Sequence, residues 1–380
     1  MAYLSLILAG RDDDYGGDQK RRLQCFINYV ALFDRRYRGL LELVVCDWNP
    51  PSAERTLAGS FEWSKLEDVS IISVPPELHG KYAGDSGYPI LDYIARNVAI
   101  RNSRSEFVCV LNQDIYPTDG IMSFILDRRL DPSCFYRADR CDFVPDFELM
   151  GDAERVEDFA RSTAFQLHRR HGWPGNPIDI PIEPGARPED WPGSVAIAGE
   201  DESHSPVIIS DRKNSVGAGW ATRARRYIVN QARKLRQRRD RGSRGWGRDQ
   251  LYLESGLHTN ACGDFVIASK KAFEAVRGFV ETNQFYMHLD SYGMVQLKAA
   301  GYRQAIFRLP NAVFHADHDR AAREGRRESY TMRYHANMWL EMLEGKRVSS
   351  VNGPDWGLAA YSLPTLRLRY GKRVGGASPA

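Results

Sequence analysis

Four short apolar runs, each stopped by polar or proline-rich residues, constrain this chain more than any other feature. Leu4–Ala9, Leu43–Cys46, Val69–Val74 and Phe107–Leu111 are almost continuously hydrophobic, the pattern of strands covered on both faces. Between them lie stretches of helical periodicity. Leu23, Phe26, Ile27, Val30 and Ala31 recur at i, i+3, i+4, i+7 and i+8, and Leu91, Ile94, Ala95 and Val98 form a second stripe. Strand, helix and strand in repetition predict an α/β chain with an open, mostly parallel twisted sheet flanked by helices. With 380 residues, 43% of them hydrophobic, the chain is long enough to bury a sizeable core. No apolar run approaches the ~18 residues of a membrane span. The opening Met1–Gly10 meets Arg11-Asp12-Asp13-Asp14 at once and reads as a buried first strand rather than a signal peptide. Six cysteines are scattered without a Cys-x-x-Cys pair, which argues against a zinc knuckle and suits a reducing cytoplasm.

The middle of the chain breaks the pattern. Six prolines fall between Trp173 and Pro192, which forbids a regular helix or central strand and predicts a long surface loop. Between Arg223 and Arg248 lie eleven Lys/Arg and a single acid, Asp240, so a net charge of +3 hides a local +10 and leaves the rest near −7. Ile228, Ala232 and Leu235 trace only a thin helical stripe through it. Regular structure resumes at Gly263–Ala268, with a helix from about Ser269 and another near His288. A stop at Gly301, strands near Tyr302–Phe307 and Ala312–His315, and a helical stripe through Met332, Ala336, Trp339, Leu340 and Leu343 follow. The expected organisation is one main domain over 1–320, its halves 1–120 and 256–320 separated by a loop-rich, basic insert over 121–255. A helical extension and tail over 321–380 complete it.

Ligands of open α/β sheets bind outside the carboxyl ends of the strands. Three such ends here are polar and acidic: Arg11–Asp14, Asp47, and Asn112-Gln113-Asp114. Asp114, a carboxylate at a buried strand's end, has the character of a hard-cation ligand, or else of a turn residue before Pro117-Thr118-Asp119-Gly120. In the second half His258, His288, His315 and His318 are interleaved with Asn260, Asp264, Asp290 and Asp317. Such groups can complete a Mn²⁺ or Mg²⁺ site begun by Asp114, or supply a general base. No His-Glu-x-x-His spacing is present, which speaks against a zinc hydrolase.

In order, the strand terminus Asn112-Gln113-Asp114, the segment Gly263–Phe273, Gly278-Phe279, His288-Leu289-Asp290, Gly301-Tyr302 and a closing histidine resemble glycosyltransferases of the GT-A fold, broadly the family 2 type. His258–Phe265, His288–Ser291 and Phe314–His318 are similar to a bacterial subgroup of such proteins. The resemblance implies a nucleotide-sugar donor and a saccharide or lipid-linked acceptor in surface polysaccharide or glycolipid synthesis. It implies contact of the donor with Arg11, Asp13, Asp47, Asn112 and Asp114. It further implies a divalent ion on Asp114 aided by His315 or His318, Asp290 as base, and Asp264 and His288 on the acceptor side. Asn112 stands where the usual pattern has its first aspartate.

Two other classes fit parts of the pattern. A sugar-nucleotide nucleotidylyltransferase shares a related topology, but its glycine-rich first turn is replaced here by Ala9-Gly10-Arg11-Asp12-Asp13-Asp14. A binder of nucleic acid or an anionic surface would use the 223–248 arm, whose aromatics are only Tyr227 and Trp246. That favours a membrane face, peripheral and cytoplasmic, over base reading.

Overall fold

The computed structural model describes residues 2–168, 179–182, 207–209, 257–283, 289–318 and 351–370. The first half runs β1 (Leu4–Gly10), α1 (Gln19–Arg36), β2 (Leu41–Trp48), a single turn α2 (Leu57–Ser60), β3 (Asp68–Val74), α3 (Pro76–Ala83), α4 (Asp92–Asn102) and β4 (Phe107–Leu111). Then follow β5 (Ile115–Pro117), α5 (Asp119–Leu126), β6 (Cys134–Arg137), β7 (Arg140–Phe143), α6 (Val156–Thr163), β8 (Ala164–His168), β9 (Asp179–Pro181) and β10 (Val207–Ile209). The remaining described elements are β11 (Phe265–Ser269), α7 (Lys270–Val276), α8 (Leu289–Ala299), β12 (Arg303–Phe307), β13 (Val313–Ala316) and β14 (Thr365–Arg369).

The strands form a nine-stranded sheet, β10-β12-β6-β11-β4-β1-β2-β3-β14, and a smaller five-stranded one, β5-β13-β7-β8-β9. Period-two alternation explains why the first strands read as continuous apolar runs. Leu4, Leu6 and Leu8 of β1 pack with Leu23, Phe26, Ile27 and Val30 of α1 on one face. Ile7 of β1 and Val44 and Cys46 of β2 pack with Ile94, Ala95 and Val98 of α4 on the other. The parallel expectation holds across β3-β2-β1-β4. Beyond β4 the sheet is mixed, because β11 runs antiparallel to both β4 and β6.

Two sequence expectations need correction. Residues 134–168, assigned to a loop-rich insert, supply β6 to the large sheet and β7 and β8 to the small one. Charged residues inside these short strands, Arg137, Arg140 and Asp142, break the apolar runs that would have announced them. The described part of the C-terminal extension is also not α-helical: it is one 3-10 turn at Trp356–Leu358 followed by β14, antiparallel to β3. The 223–248 arm and the Met332–Leu343 stripe lie outside the described residues. Within the proline-rich stretch, β9 is the edge strand of the small sheet, the position where a proline is tolerated. Among the described residues no helix is long and apolar enough to cross a membrane.

Candidate active site

Parallel pairing of β1 with β2 brings Gly10 level with Asp47, so the loop after β1 begins beside the end of β2. Asp47 is buried, and its Oδ2 accepts the Leu57 N–H at 2.9 Å. Burial pushes its carboxyl up to about 6, with neighbouring Asp12 adding to the rise and the Leu57 hydrogen bond only partly offsetting it. The other oxygen, Oδ1, is buried without a hydrogen-bond partner. Arg11 joins the two strand ends, donating to the Asn49 carbonyl at 2.6 Å and to Asp13 Oδ2 at 3.0 Å. Asp13 and Arg11 keep about a fifth of their side-chain surface, 22% and 20%, open to solvent.

The loop is held in shape from within. Gln19 Nε2 donates to the Arg11 carbonyl at 2.7 Å, and its Oε1 accepts the Asp14 N–H at 2.8 Å. Its far end reaches a second group of charges. Arg22, buried in α1, donates to the Tyr15 carbonyl, and the Tyr15 ring meets the His318 ring edge-on at 5.7 Å.

That second group is assembled by the small sheet. Asp114 directly precedes β5, and β13 pairs antiparallel with β5 so that His315 lies opposite Ile115. The Ala316 N–H donates to the Asp114 carbonyl at 3.0 Å. Asp114 Oδ2 then lies 3.2 Å from His318 Nε2, 3.9 Å from His315 Nε2 and 3.9 Å from Arg22 Nη1. Burial alone would raise the Asp114 carboxyl, but the His318 hydrogen bond and the charges of His315, His318 and Arg22 outweigh it and hold it at about 2. The carboxyl is therefore ionised in a buried place.

One carboxylate oxygen and two imidazole nitrogens, all within 4.8 Å of one another, fit a single divalent cation. The Asp114 Oδ1 atom, buried and without a hydrogen-bond partner, supports the fit, since an uncompensated carboxylate oxygen in that setting is costly. A mixed nitrogen and oxygen donor set suits Mn²⁺ better than Mg²⁺, which prefers oxygen and water. Both His315 and His318 lie in this group.

Behind it lies a network that the sequence reading did not identify. Asp142 of β7 is 3.2 Å from His315 Nδ1, 2.9 Å from His168 Nε2 and 2.8 Å from Arg140 Nε. Arg140 also pairs with Asp264. Burial opposes ionisation of Asp142 and Asp264, yet these partners hold both carboxyls below the usual range. The available signal was the Arg-x-Asp alternation of Arg140 and Asp142. It puts two charges on one face of a strand too short to read as a strand.

Asn112 does not face the cation group. Its Nδ2 donates to Asp264 Oδ1 at 2.7 Å, and its Oδ1 accepts from Arg96 Nη2 at 2.6 Å. Asp290, at the start of α8, is half-buried, and its Oδ2 accepts the Gly263 N–H at 2.9 Å. A side chain at Gly263 would press on this contact, since a Cβ there would lie 3.1 Å from Asp290 Oδ2 and 3.4 Å from the Tyr93 hydroxyl. His288 lies outside the described residues. His258 stands apart: it is buried, with Nε2 2.9 Å from Asp139, and both its backbone groups bond to Gln304. It holds the 257–264 segment and does not line the site.

No family model matches the chain, and no curated protein matches it. Among solved structures, the catalytic domain of Drosophila beta1,4-galactosyltransferase 7, solved with xylobiose, aligns over 89% of this chain and 79% of its own. Identity is 8% and the TM-score 0.35. Residues 1–349 of S. aureus TarS align over 83% of this chain at 10% identity with a TM-score of 0.34, and the match spans 60% of that chain.

Proposed function

We propose that this chain is a metal-assisted glycosyltransferase, which transfers a sugar from a nucleoside-diphosphate-sugar donor to an acceptor hydroxyl. The observation that carries the reading is the convergence of Asp114, His315 and His318 next to the loop that connects them to Asp47 and Arg11. A bound divalent ion would supply charge neutralisation to the departing diphosphate. Arg22, buried beside Asp114, adds a fixed positive charge on the same side. The solvent-open Arg11 and Asp13 and the orphaned Asp47 Oδ1 offer polar contacts for base and ribose. Asp290 accepts the acceptor proton, steadied by the Gly263 N–H, while Asp264 shapes the neighbouring wall.

The turn after β1 speaks against a nucleotidylyltransferase. The Asp14 N–H is already bonded to Gln19 and the Tyr15 N–H to Asp13 Oδ1, so these amides form no phosphate cradle. The +10 arm over 223–248 supports a lipid-linked acceptor at an anionic membrane face, with the protein peripheral on the cytoplasmic side.

The test is a panel of nucleotide sugars in thermal shift, with and without Mn²⁺, on wild type and Asp290→Asn. The cognate donor at a hundredfold excess over Kd should raise apparent stability by about 2.7 kcal/mol, and only with the metal. Asp290→Asn should keep that shift while transfer falls about 10²–10⁴-fold. No donor-dependent shift across the panel would remove the reading, and transfer reduced less than ~10-fold would place Asp290 outside the chemistry.

A further inference from the structure

The cation group and the network behind it share one side chain, His315, and its two ring nitrogens face different carboxylates. Nε2 points toward Asp114 Oδ2 at 3.9 Å and Nδ1 toward Asp142 Oδ1 at 3.2 Å. We infer that Asp142 is a positioning residue that keeps the proton of His315 on Nδ1, so that the Nε2 lone pair is presented to the cation between Asp114 and His318. The inference rests on the metal reading above and extends it to a residue that touches neither metal nor substrate.

The backbone makes the pairing obligatory. β13 runs parallel to β7 with His315 beside Asp142, and the Asp317 N–H bonds to the Phe143 carbonyl at 2.9 Å, which locks the register. The carboxylate has no freedom to turn away. Arg140 holds Oδ1 through Nε at 2.8 Å and Oδ2 through Nη2 at 3.1 Å, and His168 Nε2 lies 2.9 Å from Oδ2. The approach to His315 is close, although the N–H is not aimed squarely at the oxygen. A ring lone pair 3.2 Å from a fixed anionic oxygen would be repelled, whereas an N–H there is attracted. A carboxylate behind a ligating imidazole sets its tautomer and raises its basicity in this way.

A rival placement uses the same atoms. Asp142, His315 and Asp317 also bring ligand atoms within 4.8 Å of one another. Arg140 Nε lies 2.8 Å from Asp142 Oδ1 there, and a permanent guanidinium charge beside that oxygen repels a second cation. At the Asp114 side the Arg22 guanidinium stands farther off, with Nη1 3.9 Å from Oδ2.

Mn²⁺ alone is the probe. Its affinity for the full chain is measured by calorimetry in wild type, Asp142→Asn and Asp142→Leu, with circular dichroism and melting curves to establish that each is folded. Long-range ¹H–¹⁵N spectra of the metal-free proteins read the His315 tautomer. Asp142→Leu should weaken Mn²⁺ binding about 10–100-fold and move the His315 proton off Nδ1. Asp142→Asn leaves Arg140 with an oxygen partner, keeps an acceptor for His315, and should recover part of both. Equal Mn²⁺ affinity in all three proteins, or an unchanged His315 spectrum in Asp142→Leu, overturns the role of Asp142 while leaving the metal site standing. Absence of Mn²⁺ binding in the wild type overturns the metal reading and this inference together. Donor binding without metal would then still be measurable by the nucleotide-sugar panel.

Discussion

Asn112 sits between a guanidinium and a carboxylate, and a side-chain amide serves both at once. It accepts from Arg96 and donates to Asp264, a pair of tasks that an aspartate at the same place cannot perform. The departure from two aspartates, visible in the sequence as an anomaly, is therefore a structural requirement of this particular network. Asn112→Asp should set a carboxylate against Asp264 and destabilise the protein by about 2 kcal/mol at pH 8. Urea unfolding at pH 8 and pH 5 checks it, with the deficit shrinking at the lower pH as the two acids share a proton. An undiminished deficit at pH 5 would point to lost packing instead. At this scale the sequence singled out Asp114, His315 and His318, because each follows or ends a readable strand. It did not show Asp142, Arg140, His168 or Arg22, since a buried charge in a four-residue strand or inside a helix has no periodic signature.

At the scale of elements, the C-terminal segment is a strap held by its turn. Trp356 and Leu358 enter the core beneath α4, and the Arg101 guanidinium lies over the Trp356 ring at 5.1 Å. The turn between them needs glycine. Gly357 has φ +64, its N–H bonds to Glu281 Oε1 at 2.6 Å, and a Cβ there would lie 2.7 Å from the Asn97 carbonyl oxygen. Gly357→Ala combines a left-handed backbone with a clash against main chain, and should cost about 1–3 kcal/mol. Limited proteolysis should cut residues 351–370 earlier in the variant than in the wild type. Equal cleavage rates would show that the strap is not held at this turn. Neither the strap nor β14 was legible, because Trp356-Gly357-Leu358 is too short for a period and Thr365–Arg369 alternates leucine with arginine. By contrast β1–β4, α1 and α4 were legible because both faces of the sheet are covered, so most residues of those strands are apolar.

For the whole molecule, buried acids pull the pH dependence in two directions. Asp34 of α1 accepts the Glu67 N–H at 2.6 Å, yet burial pushes its carboxyl up to about 6. An acid raised on folding penalises the native state when ionised, so the cost is full above pH 6 and fades as pH falls toward ~4. Asp114, held at about 2, acts oppositely. Its contribution is present above the ordinary value near 4 and is lost as pH falls from there toward 2. Asp34→Asn should therefore stabilise the protein at pH 8 by about 2 kcal/mol, with the gain gone by pH 4. Urea midpoints across that range decide it, and a gain independent of pH would exclude the titration as its cause.

The pairing of β14 with β3 has a consequence for the order in which this molecule is made. Ile71 and Ile72 of β3 meet Leu366 and Thr365, residues far apart along the chain. On a ribosome, β1 to β4 can emerge and pair while the outer edge of β3 still shows a row of unsatisfied amides and carbonyls. That edge stays open until residues 365–369 have left the exit tunnel. A nascent chain in this condition is a template for strands from its neighbours. Translation pausing or truncation upstream of residue 365 therefore favours aggregation over a merely less stable product, and a chaperone that shields strand edges is needed at β3 until β14 emerges.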